Sequence, residues 1–363
     1  MRPAVKYVVL TLLWSGVAVY LLWIAGAAGA DRASWKISAL QIAIADSSAQ
    51  GQLVASPEVR KWLQHSEIET LGATAGTIDL TAIEQLIARN GFVGDVAAYV
   101  TRGGVLHIDI EPRQPLLRLL TDGENGYVTA QGFVFAAPQA SSLYVPVVTG
   151  SYRPPFPAGY TGDIRTHTEE ELARIDHEIE QLEVEKLPII RTEREDARNY
   201  RKEAAERVSW WWKYIDRDYD ERVQMLRDKK QQKRRAYRYR SRMRQQQLDQ
   251  IAARQEQKRD QQKKLEKNYE DFMKLLTFVR LIEKDDFWGA EVVQIVVRTA
   301  PSGAMEVDLI PRSGRHVIRF GRLERTSEKL DKLMRFYRKG LSKIGWGTYR
   351  VIDVRYADQV ICR

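Results

Sequence analysis

Between Pro188 and Gly289 the chain runs 100 residues without a glycine or a proline. These two residue types punctuate most turns, so a stretch lacking both reads as continuous helix, not as packed sheet. Its charge is divided. Residues 165–221 carry 11 basic and 17 acidic side chains, a net of −6, while residues 222–267 carry 17 basic and 5 acidic, a net of +12. Apolar residues between Leu226 and Leu248 are too sparse for a sustained heptad seam. The segment therefore reads as a solvent-exposed helical arm, or a partly disordered one, and not as a core. Thr168 and Glu171 have capping-box spacing, which predicts a helix from there to about Lys186, broken by Pro188. Of the chain's +9 net charge, +6 comes from residues 165–267.

The amino end has a different character. Residues 7–30 are 24 in a row without a charge, with Arg2 and Lys6 before them and Asp31 and Arg32 after. About 20 apolar residues cross a bilayer as a helix. Tyr7, Trp14, Tyr20 and Trp23 sit partly near its ends, where amphipathic rings favour the interface. A cleaved signal peptide is the rival reading, because Ala28-Gly29-Ala30 fits an A-x-A site, but the apolar run is longer than a usual signal core. The expectation is a single uncleaved transmembrane helix over residues 7–30, in contact with the lipid bilayer. Residues 1–6 form a short cytoplasmic tail, and the carboxy-terminal bulk lies outside the cytoplasm.

After it, residues 36–45 alternate like a strand. Ser56-Pro57-Glu58 predicts a helix with serine as N-cap and proline in the first turn. Thr81 and Glu84 predict a second helix ending at Asn90-Gly91. Strands are predicted over 93–102 and 105–113 across the Gly103-Gly104 turn. Strand, helix, helix, strand, strand makes a compact α+β module over residues 31–113. Three short strands follow, at 116–121, 127–129 and 132–135, opening a β-rich domain over 114–151. Past the arm (152–271), residues 272–363 resume it, with a helix at 272–282 and strands at 292–298, 305–310 and 315–320. An amphipathic helix over 327–344 comes next. Tyr349 to Tyr356 then alternates, with Ile352, Val354 and Tyr356 on one face, and predicts a final strand whose outer edge nothing covers. Such an edge is a template for a strand from another chain; the plainer alternative is a strand paired inside its own sheet.

Catalytic and metal chemistry have little to stand on. No G-x-S-x-G, S-x-x-K or H-E-x-x-H occurs, the five histidines are scattered, and Cys362 is the one cysteine, so no intrachain disulfide forms. Asp216, Asp218 and Asp220 have calcium-loop spacing, but Glu221 and Arg227 stand where that loop needs glycine and glutamate. Neither enzyme activity nor a cofactor is expected. The run KKQQKRRAYRYRSRMR at 229–244 places nine basic residues around Tyr237 and Tyr239. That pattern suits nucleic acid, yet outside the cytoplasm an anionic lipid or wall polymer is the fitting polyanion, and no nucleic-acid partner is expected. A polyanion- or membrane-surface-binding protein acting through this arm is the alternative function. Trp210-Trp211-Trp212 fits a membrane surface or a local packing knot.

Several stretches together carry a resemblance: LHIDIEPR at 106–113, GYVTAQGFVF at 126–135, DDFWGAEVVQI at 285–295, DLIPRSGRHVIRFG at 308–321, Lys329 to Tyr337, Gly345-Trp346, and the terminal IDVRYADQV. In order and spacing they resemble the bacterial cell-division family FtsQ/DivIB, most closely its Bacteroidetes form. The resemblance spans residues 31–150 and 272–363. It implies a single-pass protein of the cell inner membrane, with a membrane-proximal POTRA-like domain and a distal mixed β domain in the periplasm. It implies a non-enzymatic scaffold at the division site that recruits FtsB-like and FtsL-like subunits, among other divisome membrane proteins, during septum assembly. Partner pairing is implied at Tyr356, Ala357, Asp358, Gln359, Val360 and Ile361. The family usually has a longer cytoplasmic tail, and the helical block has no counterpart in it, so 152–271 reads as an insertion. If the two parts of the β domain join as in the family, the arm must return on itself, and its opposite charges favour an antiparallel course.

Overall fold

The structure, a computed structural model, describes residues 13–23, 35–45, 54–66, 68, 70–101, 103–121, 123–137, 143–357 and 359–363. Within the predicted apolar anchor, residues 13–23 are helical with exposed side chains; its other residues lie outside the described ones. Among the described residues no helix is long and apolar enough to cross a membrane. The chain forms two compact units. One is drawn from Met1–Arg153, Pro157–Ile164 and Met273–Arg363, the other from Pro154–Phe156 and Arg165–Phe272.

The first unit opens with β1 (Ala39–Ile44), α1 (Ser56–Gln64), α2 (Leu80–Ala88), β2 (Val93–Thr101) and β3 (Val105–Pro112). The sheet order is β1-β3-β2, with β1 parallel and β2 antiparallel to β3. Alternation in β3 sends Leu106, Ile108 and Ile110 to one buried face, where Val59 and Leu63 of α1 and Ile83 and Ile87 of α2 join the same core. The Gly103-Gly104 turn closes the hairpin with both φ angles positive. A Cβ on Gly104 would lie 2.0 Å from the Lys36 carbonyl oxygen, so only glycine fits.

Both expected caps are displaced. Ser56 is the first helical residue and Ala55 precedes the helix, its N–H donating to Glu58 at 3.4 Å. The cap of α2 is Asp79, which accepts from the Ala82 N–H at 2.9 Å. That frees Glu84 to accept from the Ala98 N–H of β2 at 2.8 Å, satisfying a donor on an edge strand. A longer polar side chain one turn inside a helix can thus serve tertiary structure rather than the cap.

The second sheet comprises β4 (Pro115–Thr121), β5 (Glu124–Thr129), β6 (Phe133–Ala136), β7 (Val147–Gly150), β8 (Gly162–Asp163), β9 (Val292–Thr299), β10 (Met305–Pro311), β11 (Val317–Gly321), β12 (Val351–Asp353) and β13 (Ile361–Cys362). Its order is β13-β12-β11-β10-β9-β7-β4-β5-β6-β8. β7 lies parallel between β4 and β9, so strands on either side of the long helical segment are direct neighbours. Phe135 ties this sheet to the first, its ring 5.9 Å from Phe92 and 5.7 Å from Tyr127.

The second unit is built on an antiparallel hairpin, residues 165–205 of α3 (Ile164–Ala205) and residues 219–272 of α4 (Tyr219–Glu283), whose closed end holds a 3-10 turn at Trp210–Tyr214. At 1.5 Å per residue, the 42 residues of α3 extend about 63 Å. The halves are joined by polar pairs: Glu178 with Lys258, Glu193 with Arg244 at 2.7 Å, Asp196 with Arg240 at 3.0 Å, Glu203 with Lys233 at 2.8 Å. Partner numbers rise on one helix as they fall on the other, the signature of an antiparallel return. Burial opposes ionisation of Glu193, but hydrogen bonds from Arg244, Ser241 and Tyr237 outweigh it and hold the carboxyl below its usual range. Asp216, in the calcium-like run, pairs instead with Arg222 at 3.0 Å. Two sequence expectations fail here. The helix starts at Ile164, leaving Thr168 buried inside it, and it continues through Pro188. Cross-helix contacts flank the proline on both sides, from Lys186 and Glu183 to Gln255 and from Glu193 to Arg244, offsetting the one backbone bond it deletes.

Candidate interaction edge at the end of the sheet

The sequence predicts one final strand over 349–356 with an open outer edge. The structure corrects this. β12 is only three residues long, and Ile361–Cys362 return antiparallel to cover it, with Ile352 opposite Cys362 and Asp353 opposite Ile361. The strand stops because the Asp353 carboxylate accepts from the Arg355 N–H at 3.1 Å, a side-chain-closed turn two residues on. The same carboxylate takes the Arg355 guanidinium at 3.0 and 2.7 Å. Burial alone would push the Asp353 carboxyl up; the hydrogen bonds and charge of Arg355, with Arg319 adding its own, win and hold it low.

β12 is itself anchored deeply. It runs parallel to β11, and Ile352 and Val354 are fully buried. Behind the edge, α5 (Asp286–Glu291) and α6 (Thr326–Phe336) place a ring cluster around Tyr337, whose hydroxyl bonds the buried His316 Nε2 at 2.8 Å. Helix α6 was expected to run unbroken from 327 to 344, but it widens into a π turn at Tyr337–Leu341. From α6, the Lys332 ammonium donates to the carbonyl oxygens of Val354 at 3.0 Å, Ala357 at 3.4 Å and Tyr356. One cation therefore pins the segment that leads from β12 towards β13.

The bonding of β13 decides which groups face outward. Val351 and Arg363 exchange both backbone hydrogen bonds, each 3.0 Å long. In an antiparallel ladder the residue next to such a pair turns its N–H and C=O the other way. Cys362 therefore directs its backbone groups to the outer side of the sheet, where no described strand lies beyond β13. Its thiol is half-buried, and burial pushes the thiol up from its usual value.

Of the six residues expected to meet partners, Tyr356, Ala357 and Gln359 are exposed, and Val360 and Ile361 are half-buried. Asp358 lies outside the described residues. The structure brings five of the six to the sheet's end, but only Ile361 belongs to a strand. Sequence reasoning missed Cys362 as the residue with outward backbone groups, and Lys332 as the pin. An Asp inside an apparent strand, followed by arginine two residues later, was the available signal for the turn.

Residues 36–111 match the family model of a POTRA-like domain, and residues 261–363 match a model described as FtsQ/DivIB, C-terminal related. No curated protein matches the chain. The chain thus carries a POTRA-like domain and an FtsQ/DivIB C-terminal-related domain, families not known as enzymes, whose presence in one chain suggests a cell-division-related role.

Proposed function

We propose that the chain is a non-enzymatic scaffold of the division site. In this reading residues 7–30 anchor it in the inner membrane and its bulk lies in the periplasm. The end of the larger sheet recruits FtsB-like and FtsL-like subunits by strand addition. The observation that carries the reading is the terminal position of β13 with the outward backbone groups of Cys362. Strand addition draws affinity from main-chain hydrogen bonds, and side chains beside the edge give selectivity. In this reading Tyr356, Gln359 and Val360 supply those contacts; the exposure of Tyr356 and Gln359 and the two domain matches support it.

A single substitution separates the edge from the fold. Proline at Cys362 removes an outward N–H while leaving the Val351–Arg363 bonds in place. Cys362→Pro is expected to keep its circular dichroism spectrum and melting temperature but to lose co-purification of an FtsB-like partner at least tenfold, the loss of one or two net hydrogen bonds. Retention of wild-type recovery by a folded Cys362→Pro chain would sink the strand-addition reading.

A further inference from the structure

The closed end of the α3–α4 hairpin carries two unusual surfaces. The first is aromatic. Trp210, Trp211, Trp212, Tyr214 and Ile215 are each between 50 and 78% exposed. The indoles of Trp210 and Trp211 stack at 3.8 Å and Tyr214 stands edge-on to Trp210 at 6.4 Å. Five large side chains standing open within six residues form an apolar patch of the kind that marks an interaction site.

The second surface is cationic. At 100° per residue, Arg227, Arg234, Arg235, Arg238 and Arg242 fall on one side of α4. They lie away from Lys229, Lys233, Arg240 and Arg244, which pair with carboxylates of the preceding helix and its end. All five guanidinium residues are exposed, and among the described residues none forms an ion pair. Arg234, Arg238 and Arg242 stand four residues apart, a spacing at which like charges repel. The acidic helix thus neutralises one face of α4 and leaves the other charged.

We propose that this end of the hairpin is a peripheral binding site for an anionic phospholipid bilayer. Guanidinium groups bind phosphate oxygens bidentately, and Trp and Tyr rings settle at headgroup depth. Both chemistries occur on this hairpin between positions 210 and 242. A nucleic-acid strand fits less well, because it needs rings interleaved with charge for stacking. Of the two tyrosines in the basic run, Tyr237 is stacked on Tyr200 at 4.7 Å and its hydroxyl donates to Glu193 at 3.2 Å, leaving only Tyr239 open. The rings are gathered at the tip and the arginines along the helix, an arrangement for a surface and not for a strand. The inference rests on the hairpin alone and stands or falls separately from partner recruitment at the sheet edge.

The test uses the full chain held in phosphatidylcholine nanodiscs and mixed with separate vesicles. Vesicles of phosphatidylcholine with phosphatidylglycerol should capture it on flotation, and vesicles of phosphatidylcholine alone should not. Replacing the five arginines by glutamine should weaken capture by about fivefold for each charge removed. Brominated lipid in the vesicles should quench tryptophan emission, and Trp210→Ala, Trp211→Ala, Trp212→Ala together should abolish most of that quenching. Far-UV circular dichroism checks that each variant keeps its helix content, and raising the salt gives an arm without mutation. Capture that neither the arginine variant nor salt weakens overturns the proposal, as does quenching that survives loss of the three indoles. Equal binding of a single-stranded oligonucleotide, lost in both variants, overturns it in favour of nucleic acid.

Discussion

Replacing Gly150 with alanine is expected to lower the melting temperature of the sheet-bearing unit by roughly 10 °C. Gly150 ends β7, the strand that joins the segments before and after the hairpin, and it pairs with Thr121 on one side and Val297 on the other. Its φ is 120°, and an added Cβ would lie 2.1 Å from the Val297 carbonyl oxygen. That oxygen belongs to a central strand and cannot swing aside as a side chain could. Overpacking costs about 1–3 kcal/mol and the forced backbone a similar amount, together about 2–6 kcal/mol. A thermal melt followed by circular dichroism measures it. An unchanged melting temperature would mean that β7 is not clamped between β4 and β9.

Phe135→Ala is expected to cost about 3–5 kcal/mol and to uncouple the two sheets of the first unit. The ring is fully buried and belongs to the same core cluster as Ile83, Ile87 and Ile110 of the POTRA-like layer. Its neighbours Phe92 and Tyr127 come from opposite sides of that boundary. Tyr127 in turn accepts the Leu143 N–H at 3.0 Å, so the cavity left by the ring would also loosen the approach to β7. Hydrogen exchange resolves the outcome: amides of β2 and β3 should exchange at lower denaturant than those of β9 and β10, whereas the parent protects both together. Exchange that stays coincident in the variant would show that the sheets are coupled elsewhere.

Local pattern revealed much of this architecture because some residues answer to one constraint only. The alternation of Leu106, Ile108 and Ile110 reports a one-sided core, and Gly103-Gly104 reports a turn that no other pair would make. The opposed charges of the arm point to an antiparallel return, and ion pairs such as Glu193–Arg244 and Glu203–Lys233 join the helices in that order. Beside them are the buried Ile175 and Ile251 and the Tyr200–Tyr237 stack, which the charges do not report. What escaped the sequence depends on tertiary partners. Pro188 would end an isolated helix, at about 3 kcal/mol, and here pairs to the neighbouring helix override it. At the sheet's end, Ile352, Val354 and Tyr356 keep a period of two, yet the Asp353 carboxylate turns the chain and the last residues fold back. The displaced caps at Ala55 and Asp79 follow the same rule: several nearby polar side chains qualify locally, and packing selects among them.

Recruitment at the sheet's edge is tested most directly through Cys362, the chain's single cysteine. Cysteines introduced one at a time along the pairing segment of an FtsB-like partner, followed by mild oxidation of the assembled complex, sample the register residue by residue. Strand neighbours share a face at every second position. Pairing at β13 predicts disulfide yields that alternate high and low along successive partner positions, centred on the residue opposite Cys362. Yields without that alternation, or none at any position while the complex still forms, would contradict recruitment at this edge.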